Sequence, residues 1–95
     1  MPLSPIGAAG PRPEVTFDNN SDEDLAVVVE RADGEYSTSV PAGQENTSVV
    51  KECQGIGMRV ETEAGEIQGR VDEEVCPNWI LTINEDGTLD YTEQP

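Results

Sequence analysis

Apolar and polar residues alternate with a period of two along most of the chain after Pro13, and glycine or proline interrupts the alternation every 8 to 12 residues. This pattern is typical of short strands in an all-β sandwich or barrel. Eight strands are predicted, at residues 14–18, 25–32, 35–40, 45–51, 57–63, 66–72, 78–84 and around 89–91. No window of eleven residues has a convincing period of 3.6, so little helix is expected.

The alternation also predicts which side chains face the core. The second strand is apolar on both faces through Val27, Val28 and Val29, so it is expected to be central in its sheet. Trp79 and Tyr91 could line a binding surface, but their spacing favours the core. The inward-facing set on the other strands is Val15, Phe17, Tyr36, Thr38, Val40, Thr47, Val49, Met58, Val60, Ile67, Val71, Trp79, Leu81, Ile83, Leu89 and Tyr91.

The N-terminal segment, residues 1–13, differs in composition from the rest of the chain. It holds four of the seven prolines and one arginine, Arg12, but no Asp or Glu. Proline at this density excludes helix and central strand and favours extended backbone. We therefore predict an extended arm at residues 1–13 and one acidic β-sandwich domain at residues 14–95. Neither a secretory leader nor a membrane span of about 20 apolar residues is expected.

The charge of the chain restricts its function. There are 20 Asp and Glu residues against 5 Lys and Arg residues, a formal net charge of -15 at pH 7, and no histidine. Without histidine the chain lacks the usual general base and the commonest metal ligand, so an enzyme is not expected. The negative charge repels phosphate backbones and anionic membranes, so the expected partners include neither nucleic acid nor membrane.

Such an excess of carboxylates indicates adaptation to high salt. In 1 M salt the Debye length falls to about 3 Å, and repulsion between surface carboxylates is screened. An acidic protein from an ordinary cell is the alternative interpretation.

The two cysteines, Cys53 and Cys76, follow the fourth and the sixth predicted strands. If consecutive strands reverse direction, both cysteines lie at the same end of the sandwich. A metal site, a reactive thiol pair, a disulfide and two buried free thiols that act as small hydrophobic residues are the alternatives. A zinc site needs four ligands and a redox pair is normally CxxC, so a structural disulfide is favoured, and with it an oxidising or extracellular location.

One acidic run has part of the spacing of a calcium-binding loop. Position 6 of that run is Glu23 where the turn needs glycine, and position 12 is Val29 where a bidentate Glu belongs. A solvated turn is therefore the favoured interpretation, and no cofactor is expected. The candidate ligands at positions 1, 3, 5 and 7 are Asp18, Asn20, Asp22 and Asp24.

Two triplets, Asn19-Asn20-Ser21 and Asn46-Thr47-Ser48, have the sequence of N-glycosylation acceptors. They would permit glycosylation if the chain is exported.

The turn chemistry of the first half of the domain resembles a known class of module. The run from Val15 to Asp24, followed by an apolar strand, then by Asp33-Gly34-Glu35 and Val40-Pro41-Ala42-Gly43-Gln44, is similar to the opening of the small immunoglobulin-like surface modules of halophilic archaea. The resemblance implies an immunoglobulin-like β-sandwich with a surface role and no functional residue. Such modules usually follow a leader or a lipobox cysteine, whereas here the Pro-rich N-terminal segment starts at Met1 itself.

These observations predict a structural protein that docks into a larger assembly, with Leu3, Ile6 and Arg12 as docking residues. The expected assembly is a halophilic virus particle, with the chain as a capsid decoration, turret or tail component on the virion surface. The expected partners are neighbouring proteins of the capsid, tail or surface layer, including further copies of this chain. The alternative is a secreted or cell-surface immunoglobulin-like adhesion or accessory module, and a small enzyme or enzyme inhibitor is a third class.

Overall fold

A computed structural model describes residues 13–94, which form eight strands in two four-stranded sheets. The strands are β1 (Glu14–Asn19), β2 (Leu25–Arg31), β3 (Gly34–Val40), β4 (Glu45–Val49), β5 (Gly57–Thr62), β6 (Ile67–Val71), β7 (Trp79–Ile83) and β8 (Leu89–Glu93). The expected all-β fold is confirmed, and the described residues contain no helix.

The first sheet has the order β4-β1-β7-β8 and the second the order β3-β2-β5-β6. Neighbouring strands are antiparallel except for the pair β1 and β7, which is parallel. In an immunoglobulin constant domain the first two strands share one sheet. Here β1 and β2 lie in different sheets, so the strand order differs from the immunoglobulin order that the resemblance implies.

The core lies between the two sheets and consists of the inward-facing apolar residues. Phe17 is its largest fully buried side chain, and Val28 on the other face of β2 is only 6 % exposed, as expected for a central strand. Trp79 and Tyr91 face the core as predicted but are only partly buried, and they pack against the buried cluster with ring centroids 4.7 Å apart. The buried cluster is Val15, Phe17, Leu25, Val27, Val29, Val40, Val50, Met58, Val60, Val75, Leu81 and Ile83.

The predicted orientation of β4 is wrong. Alternation predicts that Thr47 and Val49 face inward, but Val49 is 70 % exposed and Val50 is buried instead. The cause is the register with β1, in which Val15 pairs with Ser48 and leaves Val49 opposite the outward Glu14. Two adjacent valines satisfy alternation on either face, so only the pairing decides which is buried.

The predicted orientation of Ile67 is also wrong, since its side chain is 64 % exposed. On β6, Gly69 pairs with Val60 but Ile67 pairs with Glu61, so Gln68 has no direct partner on β5. This β-bulge adds one residue and turns Ile67 to the outer face. Val71, which lies beyond the bulge, packs against the core as expected.

Candidate docking end

One end of the sandwich carries the disulfide, and we call it the disulfide end. It contains the start of β1 and the connections from β4 to β5 and from β6 to β7. Cys53 and Cys76 are bonded there, which confirms the predicted pairing. Beside the disulfide, Gln54 and Val75 exchange two backbone hydrogen bonds of 2.9 and 2.8 Å. The two connections are thus joined by both a covalent bond and a short backbone bridge.

Tyr91 fixes the segment that precedes β7. Its hydroxyl accepts a hydrogen bond from the Cys76 backbone N–H at 3.0 Å and donates one to the carbonyl oxygen of Glu74 at 2.8 Å. Burial raises the pKa of Tyr91, so the phenol stays protonated and able to donate. The hydroxyl therefore links β8 to the chain on both sides of the buried Val75.

The N-terminal segment joins the sandwich at this disulfide end. The Pro13 carbonyl oxygen accepts a hydrogen bond from Val50 N–H at 2.8 Å, and the Glu14 carbonyl oxygen accepts one from Asn78 N–H at 2.9 Å. Asn78 has a φ of 67°, a left-handed conformation that asparagine tolerates better than most residues. The exposed Val49 lies directly opposite Glu14. The attachment point is therefore fixed by the residue after β4 and by the residue before β7.

The docking residues predicted from the sequence, Leu3, Ile6 and Arg12, lie outside the described residues. The same holds for the N-terminal segment as a whole, apart from Pro13. The structure shows the position of Pro13, where that segment ends and joins β1, and the surface beside it.

The opposite end of the sandwich is organised by Asn19, which is completely buried. Its Nδ2 donates hydrogen bonds to the carbonyl oxygens of Glu23 at 2.8 Å and Val40 at 2.9 Å. Its Oδ1 accepts bonds from the backbone N–H and the hydroxyl of Ser21. In the sequence, Asn19 is conspicuous only as part of a glycosylation triplet. Alternation places Asn19 on the same face of β1 as Val15 and Phe17, and this spacing could have indicated that it is buried.

The four candidate calcium ligands have separate surroundings. Asp18 pairs with Glu45 and Thr82 within the first sheet, and the Asp24 carboxylate accepts a hydrogen bond from Ala42 N–H at 2.9 Å. Within residues 13–94, no three His, Cys, Asp or Glu side chains are placed to hold a metal ion. The acidic run that contains Asn20 and Asp22 serves as the turn from β1 to β2.

Carboxylates also concentrate at this opposite end. An open groove of about 440 Å³ separates the turn after β1 from the turn after β5. The acidic residues that line it are Asp22, Glu23, Asp24, Glu63 and Glu66. Several like charges around one groove repel each other, and the repulsion decreases as salt screens it.

The outer face of the second sheet holds an ion-pair network centred on Arg59. Its Nη1 donates to Glu30 at 2.9 Å and to Glu35 at 2.7 Å, and its Nε donates to Glu61 at 2.5 Å. These hydrogen bonds, led by the one with Glu35, raise the pKa of Arg59. The Arg59 hydrogen bond also lowers the pKa of Glu35.

Arg70 on β6 extends this network. It donates to both carboxylate oxygens of Glu30 and to Asp72, the last at 2.8 Å. The hydrogen bond from Arg70 is the main cause of the lowered pKa of Glu30, and Arg59 adds to it. Two of the five cationic residues of the chain are thus neutralised by carboxylates on the same sheet face.

Comparisons with protein-family models, with curated proteins and with solved structures find no match for this chain. None of the described residues belongs to a helix long and apolar enough to cross a membrane.

Proposed function

We propose that this chain is a structural, protein–protein interaction component that attaches to a larger assembly through its N-terminal segment. In this proposal the assembly is the particle of a halophilic virus, and the sandwich is a decoration, turret or tail component on its surface. The partners are neighbouring proteins of that particle. The proposal assigns no catalytic step to the chain.

One observation carries the proposal: the acid-free segment meets the acidic domain beside an exposed apolar side chain. All 20 Asp and Glu residues lie in residues 14–95, and residues 1–13 contain none. The segment ends at Pro13, whose carbonyl oxygen accepts a hydrogen bond from Val50, next to the 70 % exposed Val49. An acid-free stretch containing Leu3 and Ile6 is therefore the part of the chain best suited to burial against a partner protein.

Prolines in the segment support the same role. Four prolines within 13 residues restrict the backbone before binding, which lowers the entropy that docking removes. Such a segment can lie in a groove of a neighbour or pair in part with an exposed sheet edge. The fixed position of Pro13 would then hold the sandwich close to that neighbour.

The remaining surface suits exposure to a salty, oxidising exterior. The domain carries a large negative charge, with five carboxylates around one open groove, and it contains a disulfide. Disulfides persist in oxidising compartments. A high net charge keeps a protein soluble, and salt screens the repulsion within the domain that would otherwise oppose its compact state.

The size of the native form tests this proposal. The protein should be purified from its source without denaturant and separated by size, with the chain detected by mass spectrometry. We expect it to co-migrate with a large particle and to leave that particle only on denaturation. Recovery only as a free monomer would overturn the proposal and favour a secreted or cell-surface adhesion module.

A further inference from the structure

The two glycosylation triplets of this chain have opposite surroundings in the fold. Asn19 and Asn46 lie on the paired strands β1 and β4, and the side chain of each donates a hydrogen bond to β3 of the other sheet. Asn19 is completely buried, whereas Asn46 is exposed. Transfer of a glycan requires that the asparagine side chain be reached from solvent, so the fold discriminates between the two triplets.

Asn19 has no capacity for a glycan. Both hydrogens of its Nδ2 are used, one in the bond to Glu23 and one in the bond to Val40. A glycosylated amide nitrogen keeps only one hydrogen, so attachment would break one of these bonds as well as require space that a buried residue lacks. A folded chain modified at Asn19 is therefore excluded.

Asn46 is exposed to solvent and has an amide hydrogen to spare, the two requirements that Asn19 does not meet. Its Nδ2 donates one hydrogen bond, to the Ser39 carbonyl oxygen at 2.9 Å, and one hydrogen suffices for that bond. Its Oδ1 accepts the Thr47 backbone N–H at 2.9 Å, which holds the amide in one orientation. The hydroxyl required at the third position of the triplet belongs to Ser48 on the same strand.

We propose that Asn46 is an N-glycosylation site of this protein. The inference rests on the surface location in the proposed function, and it further requires that the chain be exported, because the transfer machinery acts outside the cytoplasm. The co-substrate is an oligosaccharide carried on a lipid pyrophosphate. The bond from Nδ2 to the sugar C1 forms, the C1–O bond to the pyrophosphate breaks, and the proton lost by Nδ2 balances the charge of the released lipid pyrophosphate.

The location of Asn46 suits a surface glycan. β4 is an edge strand of the first sheet, and a bulky polar group beside an edge prevents another chain from pairing with it. Asn46 also lies four residues before Val50, about 13 Å along extended backbone. The glycan would therefore lie away from the disulfide end.

The experiment is peptide mapping of the full chain purified from its native source under non-reducing conditions. We expect the peptide that contains Asn46 to carry a glycan and the peptide that contains Asn19 to be unmodified. An unmodified Asn46 together with an intact Cys53–Cys76 disulfide overturns the glycosylation site and leaves the surface role standing. An unmodified Asn46 with reduced cysteines overturns both. A glycan on Asn19 contradicts the burial argument.

Matched variants locate the modification. When the full chain is directed through a glycosylating secretory pathway, we expect one glycan on the wild type and none on Asn46→Gln. Ser48→Ala keeps Asn46 and both of its hydrogen bonds but removes the hydroxyl of the triplet, and it should lose the glycan without a change in melting temperature. Retention of the glycan in Ser48→Ala would overturn the assignment to Asn46.

Discussion

Arg59 and Arg70 lie directly opposite each other on β5 and β6, and both donate hydrogen bonds to the carboxylate of Glu30. Like charges in directly opposed positions destabilise a sheet. The two guanidinium groups are tolerated side by side because the Glu30 carboxylate bridges them. In a chain with a net charge of -15, this carboxylate is therefore stabilising, whereas those that line the acidic groove lie near like charges.

Neutralising two different carboxylates should have opposite effects. Glu30→Gln removes the bridge between Arg59 and Arg70, so the melting temperature at neutral pH should fall. Glu63→Gln removes one charge from the acidic groove, and the melting temperature should stay constant or rise because repulsion decreases. Thermal unfolding in dilute buffer compares the two. An equal rise in both variants would show that the bridge contributes nothing.

The Glu30 contribution should also depend on pH. Because hydrogen bonds with Arg70 and Arg59 lower its pKa in the folded state, the stabilisation is complete above the pKa of the unfolded chain, about 4.3 for Glu. It is lost as the pH falls through the lowered folded pKa. The difference in unfolding free energy between wild type and Glu30→Gln should therefore shrink below about pH 4. A difference independent of pH would contradict this.

The alternation of the sequence predicts strand positions well because each strand has one buried face. All eight predicted strands lie within two residues of the observed bounds. The pattern fails where strand pairing decides which face a side chain is on. The register of β4 buries Val50 in place of Val49, and the bulge at Gln68 turns Ile67 to the outer face. Both depend on contacts between distant segments, which a local pattern does not contain.

The sites were predictable to different degrees. The disulfide followed from the strand count, since alternate connections share an end of the sandwich. The arginine network did not, because it needs the cross-strand alignment of β2, β3, β5 and β6. The burial of Asn19 was also missed, since asparagine after a strand usually indicates an exposed turn.

High salt should stabilise the protein. Raising KCl from dilute buffer to molar concentrations screens repulsion among the surface carboxylates, including the five that line the acidic groove. We expect the melting temperature to rise across this range. Potassium glutamate at matched ionic strength controls for an effect of chloride. A melting temperature that is constant or falls would leave the proposed adaptation to salt without support.

The disulfide should contribute a large part of the stability. It closes a loop between residues 23 apart in sequence, for which chain entropy gives about 3 kcal/mol. The double variant Cys53→Ala/Cys76→Ala should lose about this much unfolding free energy in urea titrations, with Tyr91 still bonded to Glu74. An unchanged urea midpoint would contradict the role of the disulfide as a staple.

Replacing Gly55, which lies beside the disulfide, should lower the free energy of unfolding more than replacing a glycine in an open turn. The φ of Gly55 is +86°, and an added Cβ would lie 2.9 Å from the Glu30 carbonyl oxygen. Gly43 has a φ of +70° with nothing within 4 Å of an added Cβ. It is therefore the control in which alanine adds backbone strain but no steric contact. Gly43→Ala should lower unfolding free energy by about 1 to 2 kcal/mol. Gly55→Ala should lower it by a further ~1 kcal/mol or more, because its neighbours must move. Equal losses in urea titrations would contradict this close approach.

Attachment through the N-terminal segment is tested by assembly of matched variants. Leu3→Ser/Ile6→Ser keeps the prolines and Arg12 but removes two apolar side chains, each worth about 1.5 kcal/mol or more when buried. Its affinity for the assembly should therefore fall on the order of 100-fold. Ser4→Ala in the same segment is the control and should bind as the wild type does.

Incorporation of a chain that lacks residues 1–12 is the most direct measurement of the proposed attachment. The truncated and full-length proteins are mixed with assemblies produced without the chain, and the bound fraction is quantified. We predict that the truncated protein keeps its disulfide and the near-UV signal of Trp79 but is absent from the assembly. Incorporation equal to that of the full chain would contradict attachment through the N-terminal segment and place the docking surface on the sandwich itself.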